Sequence, residues 1–147
     1  MRDGPVGYER DGAITLVMNA ALEGKIYEPV TLEIDAGFVA RFASAVGDDG
    51  SFVPPTIVTT PEIVAGLDHL VADEDLGLDF SRVVHGDQEY EWLRPLRVGD
   101  VLVVESTIES IRFKGGHEFL TLRTEMRDTA GEMVVVARTG LIVRGEA

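Results

Sequence analysis

The chain has three histidines, the side chains best suited to proton transfer near neutral pH, and one of them has a carboxylate at a useful spacing. His85 is followed by Gly86 and then by Asp87. Residues two apart on an extended strand point to the same face, so this spacing predicts that Asp87 orients the His85 imidazole. A pair of this kind can act as general acid and base. The alternative is a structural hydrogen bond of His85 near a subunit interface.

The other two histidines have structural interpretations. His69 is near the end of a predicted helix, where a cation complements the helix dipole, and His117 follows two glycines in a predicted turn. The three histidines do not match the ligand spacing of a zinc or iron site. The absence of cysteine excludes disulfides, thiolate metal sites and a thiol nucleophile. We therefore expect no metal and no other cofactor.

The charge of the chain limits the partners that it can bind. Its 147 residues carry a formal net charge of −13, which repels phosphate backbones and anionic lipid surfaces, so neither nucleic acid nor a membrane is an expected partner. Residues 81–147 are nearly neutral, with 9 basic and 11 acidic side chains, so a phosphate-bearing small ligand would bind there. Arg82, Arg94 and Arg97 are the candidate ligands for its phosphates. The alternative is that these arginines bind no ligand and are solvated charges on strand faces.

The length fits one domain, and the elements that must position these residues predict an α+β fold. Asp11-Gly12 between two alternating segments predicts a hairpin within residues 1–20, because both central residues of a type I′ turn need positive φ. Residues 25–34 alternate as a strand. Four long β segments with short connections, and therefore antiparallel, are predicted near the end of the chain, at about residues 83–93, 100–112, 117–127 and 132–143.

Two helices are predicted between the first strand and the four long ones. Asp35 is placed to cap the first helix, and Gly47 is placed to end it. Thr59 or Thr60, followed by Pro61 and the acidic Glu62, is typical of a helix start. The second helix is predicted within about residues 56–70. Its aliphatic side chains are typical of a helix buried against a curved sheet.

Short motifs spread over residues 21–144 form a specific combination. They are Gly24-Lys25-Ile26-Tyr27, Phe42-Ala43 and Gly47-Asp48, Pro54-Pro55-Thr56, the string from Leu76 to Gln88 that contains His85-Gly86-Asp87, and Arg94-Pro95 with Val98-Gly99-Asp100. This combination resembles the MaoC-like hot-dog family, and within it the N-terminal-domain branch that includes subunits of (R)-3-hydroxyacyl thioester dehydratases.

The resemblance implies a hot-dog fold, an antiparallel sheet wrapped around a central helix, for residues 21–147, with residues 1–20 as an N-terminal extension. It implies an acyl-CoA or acyl-carrier-protein thioester as ligand, with the acyl chain beside the central helix. The matching positions Pro55, Thr56, His85 and Gly86 are then substrate-binding candidates. The backbone N–H groups that open the helix near Thr56 can point at a thioester carbonyl. The family also implies a homodimer, or a heterodimer with a catalytic hot-dog subunit.

The chain departs from the family where the family keeps its chemistry. In active members an extended segment after the first helix carries an Asp and a His that hold the reacting water. Here residues 48–53 are short and contain no histidine. We therefore predict an acyl-thioester-binding subunit that lacks the catalytic pair. Two alternatives stay open: an active enoyl-CoA hydratase or thioesterase with a relocated pair, His85 with Asp87 or Asp48, and a non-enzymatic acyl-CoA-binding protein.

The expected location is the cytoplasm. Residues 1–9 lack the apolar segment of a signal peptide. No stretch of the chain approaches the roughly 18 apolar residues that a membrane-spanning helix needs.

Overall fold

The fold is an antiparallel sheet around one central helix, as the sequence predicts. The structure, a computed structural model, describes the backbone of residues 7–10 and 13–145 and the side chains of residues 17–145. A five-stranded sheet has the strand order β3-β5-β6-β7-β4, with every neighbouring pair antiparallel. Its strands are β3 (Val30–Glu33), β4 (Val83–Trp92), β5 (Val101–Lys114), β6 (His117–Arg127) and β7 (Met133–Val143). The four long strands therefore begin and end within two residues of their predicted bounds.

The N-terminal segments pair as the predicted hairpin. Strand β1 (Gly7–Arg10) is antiparallel to β2 (Ala13–Leu16), and Arg10 is opposite Ala13. The predicted turn residues, Asp11 and Gly12, lie outside the described residues. Next along the chain, the buried Met18 donates its N–H to Glu118 Oε1 at 2.6 Å, which attaches this segment to β6. The domain boundary at residue 20 stays a prediction.

The strand predicted at residues 25–34 is shorter than expected. Only Val30–Glu33 is a strand, and Ile26 forms a single isolated bridge with Thr107. Pro29 precedes the strand, and a proline has no N–H to donate to a ladder, so regular pairing does not extend through it.

The first helix, α1 (Ala36–Val46), has both predicted ends. Asp35 Oδ1 accepts a hydrogen bond from Phe38 N–H at 2.8 Å. Gly47 has a φ of 74°, the left-handed conformation that glycine adopts without a steric penalty. The cap and the terminating glycine therefore work as their residue types predict.

The central helix, residues 55–72, extends one residue before and two residues beyond the predicted range of about 56–70. It opens with a 3₁₀ turn at Pro55–Val58, continues as α-helix at Thr59–Glu62, widens to a π-helical segment at Ile63–Leu67, and returns to α-helix at Asp68–Ala72. The helix begins at Pro55, one residue before the predicted range, because the proline ring fixes a helical φ in the first turn, and the start pattern at Thr59 or Thr60 falls inside the helix.

The central helix is held against the concave face of the sheet by two groups of buried apolar residues. One group contains Ile57, Val58 and Ala65 of the helix, together with side chains from β5, β6 and β7. The other contains Leu70 with side chains of the same three strands and with Met18. Within residues 7–10 and 13–145, no helix is long and apolar enough to cross a lipid bilayer.

Candidate functional site

A cavity of about 440 Å³ lies between the central helix and the β4 side of the sheet. Its wall is almost entirely apolar at one end and hydrogen-bonding at the other. The apolar wall is formed by Ile63, Leu67, Phe80, Val83, Leu122 and Leu141, and the polar wall by Thr59, Glu62, His85, Gln88, Tyr90 and Thr139. A largely apolar cavity with a few convergent polar groups is typical of a small-molecule site.

Glu62 is the centre of the polar end. Its side chain is on the buried face of the central helix and is only 7% exposed. The carboxylate accepts hydrogen bonds from Gln88 Nε2 at 2.9 Å, from the Tyr90 hydroxyl at 2.6 Å and from the Thr139 hydroxyl. These four residues are called the Glu62 cluster below. Burial and the hydrogen bond to Glu62 raise the pKa of Tyr90 above its usual value, so its hydroxyl stays protonated and donates.

His85 is joined to the Glu62 cluster through Gln88. A carboxylate only accepts hydrogen bonds, so the Gln88 amide must turn its NH₂ group toward Glu62 and its oxygen toward His85. His85 Nε2 lies 3.1 Å from that oxygen and therefore carries the ring proton in the neutral form, which leaves Nδ1 as an acceptor. His85 is thus exposed at the rim of the cavity, and the Gln88 amide links it by hydrogen bonds to the buried Glu62 carboxylate.

The predicted pairing of His85 with Asp87 is wrong. A β-bulge at Gly86 shifts the register of β4, so that His85 is opposite Leu141 and Asp87 is opposite Gly140. Because neighbouring residues of β7 point to opposite faces, the bulge puts the His85 side chain on the inner face and the Asp87 side chain on the outer face. The Asp87 carboxylate lies against Gly140, 2.6 Å from where a Cβ would stand. Gly86 contributes the bend of the strand, and no side chain, to the site.

Asp48, the other predicted partner of His85, lies in an exposed turn after α1. Its Oδ1 accepts from Gly50 N–H at 2.8 Å, and it is not among the residues that line the cavity. In the same turn, hydrogen bonds from Ser51 lower the pKa of Asp49. The structure therefore brings neither Asp48 nor Asp87 to the His85 side chain.

Pro55 and Thr56 are at the exposed start of the central helix, as predicted. Pro55 also lines a second cavity of about 450 Å³. Val53 lies beside it in that lining, and the end of β4 and the residues after it contribute Trp92, Leu93, Arg94, Pro95 and Leu96. This second cavity lies beyond the polar end of the first, next to the helix start.

The three predicted phosphate ligands are not brought together. Arg82 precedes β4, and Arg94 and Arg97 follow it, so the ten residues of the strand separate them by about 30 Å. Arg82 is engaged with Asp79 Oδ2 at 2.8 Å and with the Arg144 carbonyl at 2.9 Å. Arg94 is engaged with Asp100. Only Arg97 is an exposed side chain.

His69 occupies a structural position. Its Nδ1 lies 3.0 Å from the Ala65 carbonyl oxygen, and its ring stacks on Tyr27 with the centroids 5.4 Å apart. Asp73 accepts from the Tyr27 hydroxyl at 2.8 Å and from Lys25 Nζ at 2.5 Å. Among residues 17–145, no group of three histidine, aspartate or glutamate side chains is arranged to hold a metal ion.

The Glu62 cluster is not predicted from the sequence. In the sequence Glu62 is only an acidic residue of the predicted helix start, and Gln88, Tyr90 and Thr139 have no spacing that relates them to it. A signal was available, because Glu62 interrupts an otherwise apolar helix face and a buried charge needs hydrogen-bond partners. The identity of those partners depends on the pairing of β4 with β7, which spacing alone does not reveal.

Comparisons with known proteins agree with this architecture. The family model described as "FAS1-like, dehydratase domain region" matches residues 49–137. A UPF0336 protein of Streptomyces coelicolor is 37% identical over 145 residues, which cover 88% of this chain and 97% of that protein.

Two solved structures have the same fold. A chain of the C-terminally truncated HadBC (3R-hydroxyacyl-ACP dehydratase) complex of Mycobacterium tuberculosis matches with a TM-score of 0.70 and 23% identity, over 82% of this chain and 96% of that one. A MaoC-like dehydratase matches with a TM-score of 0.73 and 20% identity, over 85% of this chain and 43% of that one. The chain therefore belongs to the FAS1-like dehydratase-region family, with UPF0336 proteins as relatives and the MaoC-like hot-dog fold as its architecture.

Proposed function

We propose that this protein is an acyl-thioester-binding subunit of the (R)-specific enoyl hydratase or 3-hydroxyacyl dehydratase type, and that it lacks the catalytic Asp/His pair itself. It works as a homodimer or with a second hot-dog subunit that supplies the pair. The observation that carries the proposal is the apolar cavity beside the central helix, combined with a loop at residues 47–54 that contains no histidine.

The cavity suits the acyl part of such a ligand. Its apolar end, with Leu67, Leu122 and Leu141, removes methylene groups from water, which is favourable by about 0.8 kcal/mol per methylene. The thioester carbonyl is placed near Thr56, where the helix opens. Of the three arginines predicted to bind the CoA phosphates, Arg97 is proposed for that role, because Arg82 and Arg94 already pair with carboxylates.

A short, exposed loop is a poor location for acid–base chemistry. Asp48 and Asp49 face solvent, and a catalytic pair must hold one water between two groups of suitable pKa.

Support for a separate catalytic subunit comes from the HadBC match, which is a complex and is named as a 3R-hydroxyacyl-ACP dehydratase. We therefore expect this chain alone to bind an acyl thioester without hydrating or dehydrating it.

A second candidate is an active enzyme that uses other residues of the cavity. The observation in its favour is that Glu62 and His85 share one cavity and are linked through Gln88, so a carboxylate and an imidazole are available there. The pair of His85 with Asp87 is not used in this version, because their side chains are on opposite faces of the sheet. The non-enzymatic acyl-CoA-binding protein is the third candidate.

Hydration of crotonyl-CoA, followed by the loss of enoyl absorbance, separates these candidates. We expect no turnover by the purified chain, measurable acyl-CoA binding, and turnover when the chain is co-expressed with a hot-dog subunit that has both the Asp and the His. His85→Ala is compared with His117→Ala, a histidine outside the cavity. A robust rate of the chain alone that His85→Ala abolishes would establish the enzyme instead. Binding that no catalytic partner converts into turnover would favour the non-enzymatic protein.

A further inference from the structure

We infer that the Glu62 cluster determines acyl-chain specificity, by favouring chains that carry a hydroxyl group several carbons beyond the thioester over unsubstituted chains of the same length. This inference rests on the proposed function, because it concerns the same cavity and assumes that the thioester carbonyl lies near Thr56 with the acyl chain in the cavity.

The hydrogen bonds of the cluster leave an accepting surface in the cavity. The Glu62 carboxylate has about four acceptor positions, of which Gln88, Tyr90 and Thr139 fill three. The Tyr90 and Thr139 oxygens, having donated their protons to Glu62, can still accept. One N–H of Gln88 is the remaining donor. A ligand group that donates a hydrogen bond therefore fits this surface best.

The position of the cluster indicates which part of the ligand reaches it. Glu62 is six residues beyond Thr56 along the central helix, a distance of about 9 Å. A chain whose thioester is at Thr56 passes Glu62 several carbons from the carbonyl. Its end then lies among the apolar side chains near Leu67 and Leu141. The reacting carbons next to the thioester do not reach the cluster.

An unsubstituted chain has an unfavourable contact at this point. Its methylenes displace water from a carboxylate that is 7% exposed and put no donor in its place. A hydroxyl on the same carbon replaces the lost hydrogen bond. A carboxylate at the same place fits poorly, because it only accepts hydrogen bonds and faces an accepting surface, and no arginine or lysine is among the described residues that line the cavity.

The test is a set of acyl-CoA ligands of one chain length, with the hydroxyl absent, at carbon 3, or moved outward along the chain. We expect affinity, measured by calorimetry on the 147-residue chain, to be highest for a hydroxyl several carbons from the thioester, about ten-fold above the saturated ligand. The pantetheine amide groups are the same in every ligand, and free CoA measures their contribution. A maximum at carbon 3, or equal affinities throughout, would overturn the inference.

Variants identify the responsible residues. Glu62→Gln keeps the shape of the side chain, and Thr139→Val removes one hydroxyl at constant size, so either should reduce the ten-fold preference to about two-fold or less. Glu91→Gln, on an exposed position of β4, is the matched control and should keep the full preference. If the saturated ligand binds and the preference is absent or survives both variants, the inference alone fails. If no acyl-CoA binds, the proposed function fails with it.

Discussion

Arg94 and Asp100 form a two-pronged ion pair where the chain leaves β4 and enters β5. Arg94 Nη1 lies 2.8 Å from Asp100 Oδ2, and Nη2 lies 3.1 Å from Oδ1. The same carboxylate accepts the Arg97 N–H at 2.7 Å. The Arg94 guanidinium, opposed by partial burial, holds the pKa of Asp100 below its ordinary value of 3.8. Arg94 therefore stabilises this turn.

Arg94→Ala should lower the free energy of unfolding by about 1 kcal/mol near neutral pH, as expected for a partly exposed ion pair of good geometry. Because the folded pKa of Asp100 is lowered, the contribution of the pair is present above the unfolded pKa and is lost as the pH falls through the folded pKa. Urea unfolding of the wild-type chain and of Arg94→Ala, at a series of pH values from 7 downward, measures this contribution to the free energy of unfolding. The difference should shrink below about pH 4. A constant difference down to the acid limit would contradict this prediction.

Arg97→Ala is the control at the same carboxylate. Its side chain is exposed, and the Arg97 backbone N–H that Asp100 accepts remains after the substitution. We expect a smaller change in stability than for Arg94→Ala. If Arg97 binds a CoA phosphate as proposed, its loss weakens acyl-CoA binding instead.

At the scale of elements, the central helix lies directly against side chains of the sheet at Gly66, in the π-helical segment. A Cβ on Gly66 would lie 2.6 Å from Leu122 Cδ2 and 2.9 Å from Ser106 Oγ. Ser106 is fully buried and hydrogen-bonded to Thr124 at 2.7 Å. The absence of a side chain at this position sets the distance between helix and sheet, and with it the width of the adjacent cavity.

Gly66→Ala should therefore destabilise the protein by about 1–2 kcal/mol. The cost of overpacking, typically 1–3 kcal/mol, outweighs the roughly 1 kcal/mol that alanine gains in a helix. Gly37→Ala in the exposed first turn of α1 is the matched control and should destabilise less, because its Cβ would meet only two exposed side chains that can shift slightly, Arg41 Nη1 at 3.1 Å and Asp35 Oδ1 at 3.2 Å. Thermal and urea unfolding compare the two. Equal stability of both variants would show that the helix can move away from the sheet at low cost.

At the scale of the whole molecule, the two edges of the sheet differ. The β3 edge has only four residues, whereas the β4 edge has ten and, in the described part of the chain, no strand beyond it. A long uncovered edge is an aggregation hazard unless another strand or subunit covers it. Val64 and Val71 of the central helix are 36% and 49% exposed. These features favour an isologous dimer with a continuous sheet across the two β4 strands.

Light scattering at micromolar concentration should therefore report a dimer. The double substitution Val64→Lys and Val71→Lys should shift the mass toward a monomer, because it puts charge on an apolar surface assigned to the interface. Val46→Lys, at the end of α1, changes another exposed valine and should leave the dimer intact. A monomeric wild-type chain would contradict the prediction for a homodimer. A heterodimer with a catalytic subunit would then be the form to purify.

The sequence by itself determined the order of the elements and much of the fold. Alternating residues, Asp35 and Gly47 at the ends of α1, and the glycine-containing turns act locally, through φ restrictions, capping hydrogen bonds and the two-residue period of strands. The motifs around His85 carried the resemblance to the hot-dog family, which the comparisons confirm. Local rules were sufficient there because each depends on residues only a few positions apart.

Only the tertiary structure decided which residues share the site. The bulge at Gly86 comes from the pairing of β4 with β7, and it separated His85 from Asp87. The packing of the central helix on the sheet brought Glu62 to Gln88 and Tyr90, across 26 and 28 residues of sequence. These contacts are long-range because a buried carboxylate must find its donors in whichever strands the fold puts beside it, and spacing along the chain does not encode that choice.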